Sequence, residues 1–120
     1  MAYLLLIHEP RGQRAERTRA QGQECYDLMV AFGQDLAERG ILKGGQSLLS
    51  DDHGTRLQKR AGKLTFHDGP FAEAKEMVGG FFLLECKSKD EALAIAATCP
   101  AAEWATVEVR ETGTCFEDLV

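Results

Sequence analysis

An α+β fold of the order β-α-β-β-α-β, with an antiparallel sheet carrying both helices on one face, is predicted by three features of the sequence. Tyr3-Leu4-Leu5-Leu6-Ile7 is a short apolar run with the look of a first strand. Cys25, Met29, Phe32 and Leu36 stand at i, i+4, i+7 and i+11, one stripe at helical spacing. Ser88-Lys89-Asp90-Glu91 is a capping-box signature ahead of a second helical run, and both helices are followed by strand patterns.

The elements follow in order. Residues 3–8 form a strand, apolar on both parities. An arginine-rich polar stretch comes next, and a helix starting within it runs to about Arg39, its stripe widened by Leu28. Gly40 occupies the position of a left-handed C-cap, with Arg39 facing the negative end of the helix. Residues 41–67 read as short strands and turns, with turn signals at Gly44-Gly45 and Asp51-Asp52-His53-Gly54. Arg56–Arg60 and Lys63–His67 form an extra hairpin around Ala61-Gly62. Asp68-Gly69-Pro70 breaks the pattern, Glu73–Glu76 is a polar connection, and Met77–Cys86 is a strand containing Gly79-Gly80. The second helix begins at Ser88 and is stopped by Pro100. In the last strand, Trp104–Arg110, residues Ala105, Val107 and Val109 face one way and Thr106, Glu108 and Arg110 the other. From Glu111 the chain reads as a loose acidic tail. Residues 1–120 form one domain with no repeat or linker.

Charge and cysteine content narrow the function. A net charge of −5 speaks against a duplex-DNA binder, which needs a basic footprint. The opening apolar run is too short to span a bilayer and lacks the flanks of a secretory signal. With no export signal, Cys25, Cys86, Cys99 and Cys115 read as reduced thiols in a cytoplasmic protein, Cys25 and Cys86 as small core residues. Two islands are basic: residues 11–19 hold four arginines and one glutamate, and residues 56–63 hold Arg56, Lys59, Arg60 and Lys63 with no acid. They are either solvated faces or contacts for an anionic partner.

A sheet with helices on one face leaves the other bare, and a bare face in water is polar at alternate positions. Here Leu4 and Leu6 point one way and Tyr3, Leu5 and Ile7 the other. Likewise Val78, Phe82 and Leu84 share one parity, and Met77, Phe81 and Leu83 the other. Both faces ask for cover. The expectation is a homodimer whose sheets meet face to face; the alternative is cover from the hairpin and tail of the same chain.

Asp68-Gly69-Pro70-Phe71-Ala72-Glu73-Ala74-Lys75-Glu76, followed by Gly79-Gly80-Phe81, resembles the signature of the DGPF-domain proteins of the YCII-like superfamily. The opening strand, Asp90-Glu91-Ala92-Leu93, Pro100-Ala101-Ala102 and Val107–Arg110 extend the resemblance over most of the chain. It implies a ferredoxin-like fold, dimers of the α/β-barrel type and frequent genetic linkage to alternative sigma factors, but no settled reaction. Better understood YCII-like members carry a His on the first helix and an Asp just after the second, proposed as a catalytic pair. In this sequence Tyr26–Arg39 contains no His and Cys99 precedes Pro100, so the pair does not carry over. His8 also stands where DGPF relatives often have Tyr, and Ala74 replaces a Thr common in the motif.

Read physically, Gly69 and Pro70 shape a turn, Asp68 holds it through downstream amides, and Phe71 plugs it from beneath. The turn is either a rigid structural device with solvated charges or a cleft rim presenting carboxylates to a ligand. His8 and His67 end strands, and a His beside a carboxylate suits acid–base chemistry. On the second reading, His8 or His67 is the base and Asp68 its acid or orienting partner, with Arg11, Phe71, Glu73, Lys75 and Glu76 contacting the ligand. No zinc spacing, nucleophile elbow, dinucleotide fingerprint or Walker sequence occurs, so no metal or cofactor is expected. Cys99, at a helix C-terminus, is a poor nucleophile. The function expected is a homodimer with a small-molecule cleft, acting on an anionic metabolite by lyase- or isomerase-type chemistry. The alternative is a non-catalytic accessory or sensor associated with a sigma factor.

Overall fold

The computed structural model describes residues 1–116. Six strands and two helices follow in the order β1 (Ala2–Pro10), α1 (Arg19–Glu38), β2 (Leu42–Ser47), β3 (Thr55–Arg60), β4 (Lys63–Asp68), β5 (Glu76–Glu85), α2 (Lys89–Ala97) and β6 (Thr106–Glu111). β1, β2, β5 and β6 form one antiparallel sheet in the order β2-β5-β1-β6, and β3 and β4 pair as a separate hairpin. The four-stranded sheet therefore has the order of the β-α-β-β-α-β plan. No helix among the described residues is long and apolar enough to cross a membrane.

β1 occupies a central position because both of its faces are apolar. Tyr3, Leu5 and Ile7 point into the core with Phe32 and Leu36 of α1, Leu84 of β5, and Ala92 and Ile95 of α2. Val107 and Val109 of β6 pair with Ile7 and Leu5 and pack against that core, as alternation in β6 requires. Leu4 and Leu6 point the other way, opposite Leu83 and Phe81, and all four remain partly exposed.

Two helix ends show how short polar signals set the boundaries. α1 starts at the end of the arginine stretch, at Arg19, after a 3-10 turn over Arg14–Glu16. Its N-cap is Thr18, whose hydroxyl accepts from the Gln21 amide while the Gln21 side chain accepts from the Thr18 amide, a full capping box. At Ser88 only half the expected box forms. The Ser88 hydroxyl accepts from the Glu91 amide at 3.1 Å, but Glu91 reaches past Ser88 to the Lys87 amide at 3.4 Å. Gly40 takes the left-handed conformation at the end of α1 (φ +72°), as its C-cap position requires.

Several expectations are corrected. Leu28 lies on the exposed side of α1, outside the buried stripe. Gly44-Gly45 is not a turn but lies within β2. A side chain at Gly45 would crowd the Phe81 carbonyl at 2.9 Å and the Phe82 ring at 3.0 Å, so the glycine lets β2 sit flush on β5. A β-bulge between Ile7 and His8 shifts the register of β5. It places Val78 opposite His8, on the open face with Phe81 and Leu83 rather than with Phe82 and Leu84. Glu111 ends β6 and the Thr112 amide donates to the Ala2 carbonyl at 3.0 Å, whereas residues 113–116 are exposed and belong to no helix or strand. The remainder of the expected tail, residues 117–120, lies outside the described residues.

The β3–β4 hairpin turns through Ala61 and Gly62, both with positive φ, and every residue of its strands is exposed. It leaves the open face of the four-stranded sheet uncovered. Its projection explains why the radius of gyration is 16.5 Å, whereas a compact chain of this length gives about 13–14 Å. Leu5→Ala is expected to lower stability by about 2–5 kcal/mol in urea unfolding, since Leu5 is fully buried in the central strand. The exposed Leu93→Ala serves as control and is expected to change it by no more than about 0.5 kcal/mol.

Candidate functional site

Glu9, the next residue along the core-facing parity of β1, lies at the end of the covered face and is only 7% exposed. A carboxylate cannot be left alone there, because removing an ion from water without a partner is very costly. Arg14, in the 3-10 turn just after β1, supplies the partner. Its Nε donates to Glu9 Oε1 at 2.5 Å and its Nη2 to Oε2 at 3.2 Å. Gly79 completes the cradle from β5. A Cβ at that position would overlap the Glu9 carboxylate and approach Arg14 Nη2 to 3.1 Å.

This pair sits in the floor of an open cleft of about 790 Å3 between α1 and the β2–β5 half of the sheet. Drug-sized ligands occupy cavities of about 300–1,000 Å3, so the space suits a metabolite. Tyr26, Met29, Phe82 and Trp104 supply apolar and aromatic wall, and Cys25 lies among them. Arg17 spans the wall with its guanidinium carbon 5.7 Å from the Trp104 ring centroid. It is steadied by a 3.1 Å bond to Gln13 Oε1, and Gln13 in turn donates to the Trp104 carbonyl at 2.7 Å. Among the lining groups, Arg14, Arg17 and Arg19 face the single acid Glu9. The cleft thus combines one neutralised, buried carboxylate with surplus positive charge. The Cys99 thiol behind the wall, 3.9 Å from Met29 Sδ, is pushed up in pKa by burial and is not a nucleophile at neutral pH. Among the described residues, no group of three His, Cys, Asp or Glu side chains is placed to hold a metal ion.

A second constellation surrounds the Asp68-Gly69-Pro70-Phe71 turn. Arg11 grips Asp51 with two donors, Nη1 to Oδ1 at 2.9 Å and Nη2 to Oδ2, and its Nε donates to the Ala74 carbonyl at 2.7 Å. The Phe71 amide donates to Asp51 Oδ2 at 3.4 Å. Phe71 itself is buried, with the Arg56 guanidinium 3.7 Å from its ring centroid. Arg56 also donates to Glu73 Oε1 at 3.2 Å. Gly69 is obligatory here, since a Cβ would run into the Asp51 carbonyl. The turn is a clamp at the base of the hairpin, and the Arg11 guanidinium beside Asp51 holds that carboxyl below the usual range.

The residues singled out in the sequence fall around the clamp and the open face. Arg11 and Phe71 are bound into the clamp. Glu73 ties to Arg56, while Lys75 and Glu76 are exposed. Asp68, at the end of β4, accepts from the Thr55 hydroxyl at 2.9 Å. His67 lies edge-on to Phe71 with centroids 5.6 Å apart. His8 lies on the open sheet face, where Nε2 is 2.7 Å from Glu108 Oε1. Glu108 is held low in pKa by Arg110 and then by His8. The expected contact of either His with Asp68 is therefore not made: His8 has taken Glu108, and Asp68 has taken Thr55. None of the eight residues lines the cleft. Glu9 and Arg14, which form its floor, are absent from the sequence-based selection. The signal was an acid continuing the inward parity of Tyr3, Leu5 and Ile7, one residue past the expected strand end.

The YCII-related domain family model matches residues 1–112. An uncharacterised protein of Rhizobium meliloti is 30% identical over 96 residues, which covers 80% of this chain and 77% of that protein. Among solved structures, the 5-chloro-2-hydroxyhydroquinone dehydrochlorinase of Burkholderia phenoliruptrix, in complex with 2,5-dihydroxybenzoquinone, has a similar fold. It superposes with a TM-score of 0.57 at 16% identity over 94% of both chains.

Two outcomes follow for the two constellations. Gly79→Ala is expected to force the Glu9 carboxylate off Arg14 and destabilise the protein by about 2–4 kcal/mol, read by urea unfolding; a wild-type value means that Glu9 is not confined. For the clamp, a carboxyl whose folded pKa is depressed adds stability that is complete above its unfolded pKa, about 3.9, and is lost as pH falls through the folded value. Asp51→Asn is expected to flatten this acid limb in melting curves taken between about pH 2 and pH 5.

Proposed function

The chain belongs to the YCII-related domain family, and from that premise we propose that it binds a small anionic metabolite in the α1 cleft and acts on it by acid–base chemistry of the lyase or isomerase type. The observation that carries this reading is the buried Glu9–Arg14 pair in the cleft floor. Arg14 pairs with both oxygens of Glu9 and fixes their orientation. A carboxylate so held can accept a proton from a ligand carbon or hydroxyl lying on the floor and return it to another atom of the same ligand. Arg17 and Arg19 favour an anion at the entrance and the negative charge that develops when that proton leaves. The aromatic wall favours a flat ligand. A dehydrochlorinase of the same fold, complexed with a dihydroxybenzoquinone, supports lyase-type chemistry on a small oxygenated ring.

The functional unit in this reading is a homodimer formed through the open sheet face. Leu4, Leu6, Val78, Phe81 and Leu83 lie together there, and none is fully covered within one chain. An apolar patch of this kind on a sheet calls for a partner surface.

A thermal-shift screen of hydroxylated benzoates, quinones and small carboxylates tests the cleft. A ligand at a hundred times its Kd adds about 2.7 kcal/mol of stability. Gly22 lines the cleft, and a Cβ there meets nothing within 4 Å. Gly22→Leu is therefore expected to keep or raise the melting temperature of the unliganded protein, gaining up to about 1 kcal/mol of helix propensity, while abolishing the ligand-induced shift. A full shift in this variant places the site elsewhere. Light scattering at micromolar protein is expected to return twice the chain mass, and a monomer mass refutes the dimer.

A further inference from the structure

Three arginines in the segment after β1 are partly buried: Arg11, Arg14 and Arg17. Two of them hold a carboxylate. Arg11 grips Asp51, and Arg14 grips Glu9. Arg17 differs, because among the described residues it forms no ion pair. Yet its side chain is fixed. Its Nη2 donates to Gln13 Oε1 at 3.1 Å, and its guanidinium carbon lies 5.7 Å from the Trp104 ring centroid. Gln13 is tied in turn to the Trp104 carbonyl at 2.7 Å, so one short network sets both the ring and the cation. Ordering a long side chain costs rotamer freedom, and no acid of the chain offsets that cost for Arg17.

The donors left on Arg17 have a definite shape. A guanidinium presents five N–H groups, four of which form two parallel-donor edges that share Nη2. Whichever Nη2 hydrogen Gln13 takes, one edge keeps both of its donors. Such an edge matches the two oxygens of one carboxylate. Arg17 and Trp104 line the same cleft as Glu9, the single acid there, and Glu9 is already held by Arg14. Nothing of the chain's own in the cleft competes for Arg17. The surface beside it is aromatic, from Trp104 and Phe82.

We propose that Arg17 is the specificity-determining residue of the cleft and that the ligand is an aryl carboxylate, its carboxylate on the open edge of Arg17 and its ring along the Trp104 wall. The inference rests on the cleft reading above and deepens it, by naming the class of ligand and the residue that reads it. The probes are para-hydroxybenzoate and its uncharged isostere para-hydroxybenzamide. In calorimetric titrations the wild-type protein is expected to bind the benzoate at least about tenfold more tightly. Arg17→Met keeps an apolar stem beside Trp104. It is expected to weaken the benzoate at least about tenfold and the benzamide by no more than about threefold, so that the preference collapses. Arg17→Lys keeps the charge but lacks the two-donor edge, and is expected to weaken the benzoate at least about threefold. Arg39→Met removes the same charge at the far end of α1 and is expected to keep the preference. The proposal is overturned if Arg17→Met keeps the preference, if wild type has none, or if neither probe binds. If uncharged rings alone raise the melting temperature and Gly22→Leu abolishes that shift, the role of Arg17 falls and the cleft reading stands. If the benzoate binds Gly22→Leu as tightly as wild type, both fall.

Discussion

A carboxylate on the buried side of a central strand constrains everything around it. Glu9 follows Tyr3, Leu5 and Ile7 on the inward parity of β1, and an unpaired charge there is not sustainable. Its neutralisation requires Arg14 to fold back in a 3-10 turn directly after the strand. It also requires β5 to present a residue without a Cβ, which Gly79 provides. The turn occupied by Arg14 delays α1 until Thr18 can cap it. The space left between the delayed helix and the β2–β5 edge is the cleft. Charge burial, local backbone and cavity are thus one arrangement seen at three scales.

Arg11 and Arg14, three residues apart, divide the work of the same polar segment. Arg14 turns inward to Glu9 and builds the cleft floor. Arg11 turns outward to Asp51 and roots the hairpin through the Asp68-Gly69-Pro70-Phe71 turn. The two acids come from opposite sides of the segment in sequence, which places the cleft and the hairpin at the same end of the sheet. Two bidentate guanidinium–carboxylate pairs of this kind fix orientation as well as distance. The family signature serves in this chain as the mount of the hairpin rather than as a wall of the cleft.

Much of the fold was legible in residue order. Alternation placed Val107 and Val109 inward, the stripe through Phe32 and Leu36 oriented α1, and Ala61-Gly62 turned the hairpin. Each depends on a period or a turn contained in a few consecutive residues. The errors share a cause. Gly44-Gly45 looked like a turn because glycine breaks local patterns, but its role is close approach to Phe81 and Phe82, which lie far along the chain. Parity along β5 alone puts Val78 on the face of Phe82 and Leu84, but a bulge resets parity and depends on both paired strands.

The candidate site was less legible for the same reason. Histidines and the Asp68 turn attract notice as chemistry-bearing residue types, yet His8 lies on the open face with Glu108 and Asp68 bonds Thr55. The sequence by itself determined the family, the element order and the excess of apolar residues on both faces of the sheet, since composition and short-range spacing carry that information. Only the tertiary structure decided that Arg11 takes Asp51 and Arg14 takes Glu9, and that a cleft opens beneath α1. Four arginines within nine residues are interchangeable by spacing. Which acid each one meets is settled by strand register and burial, quantities that exist only once distant segments have packed.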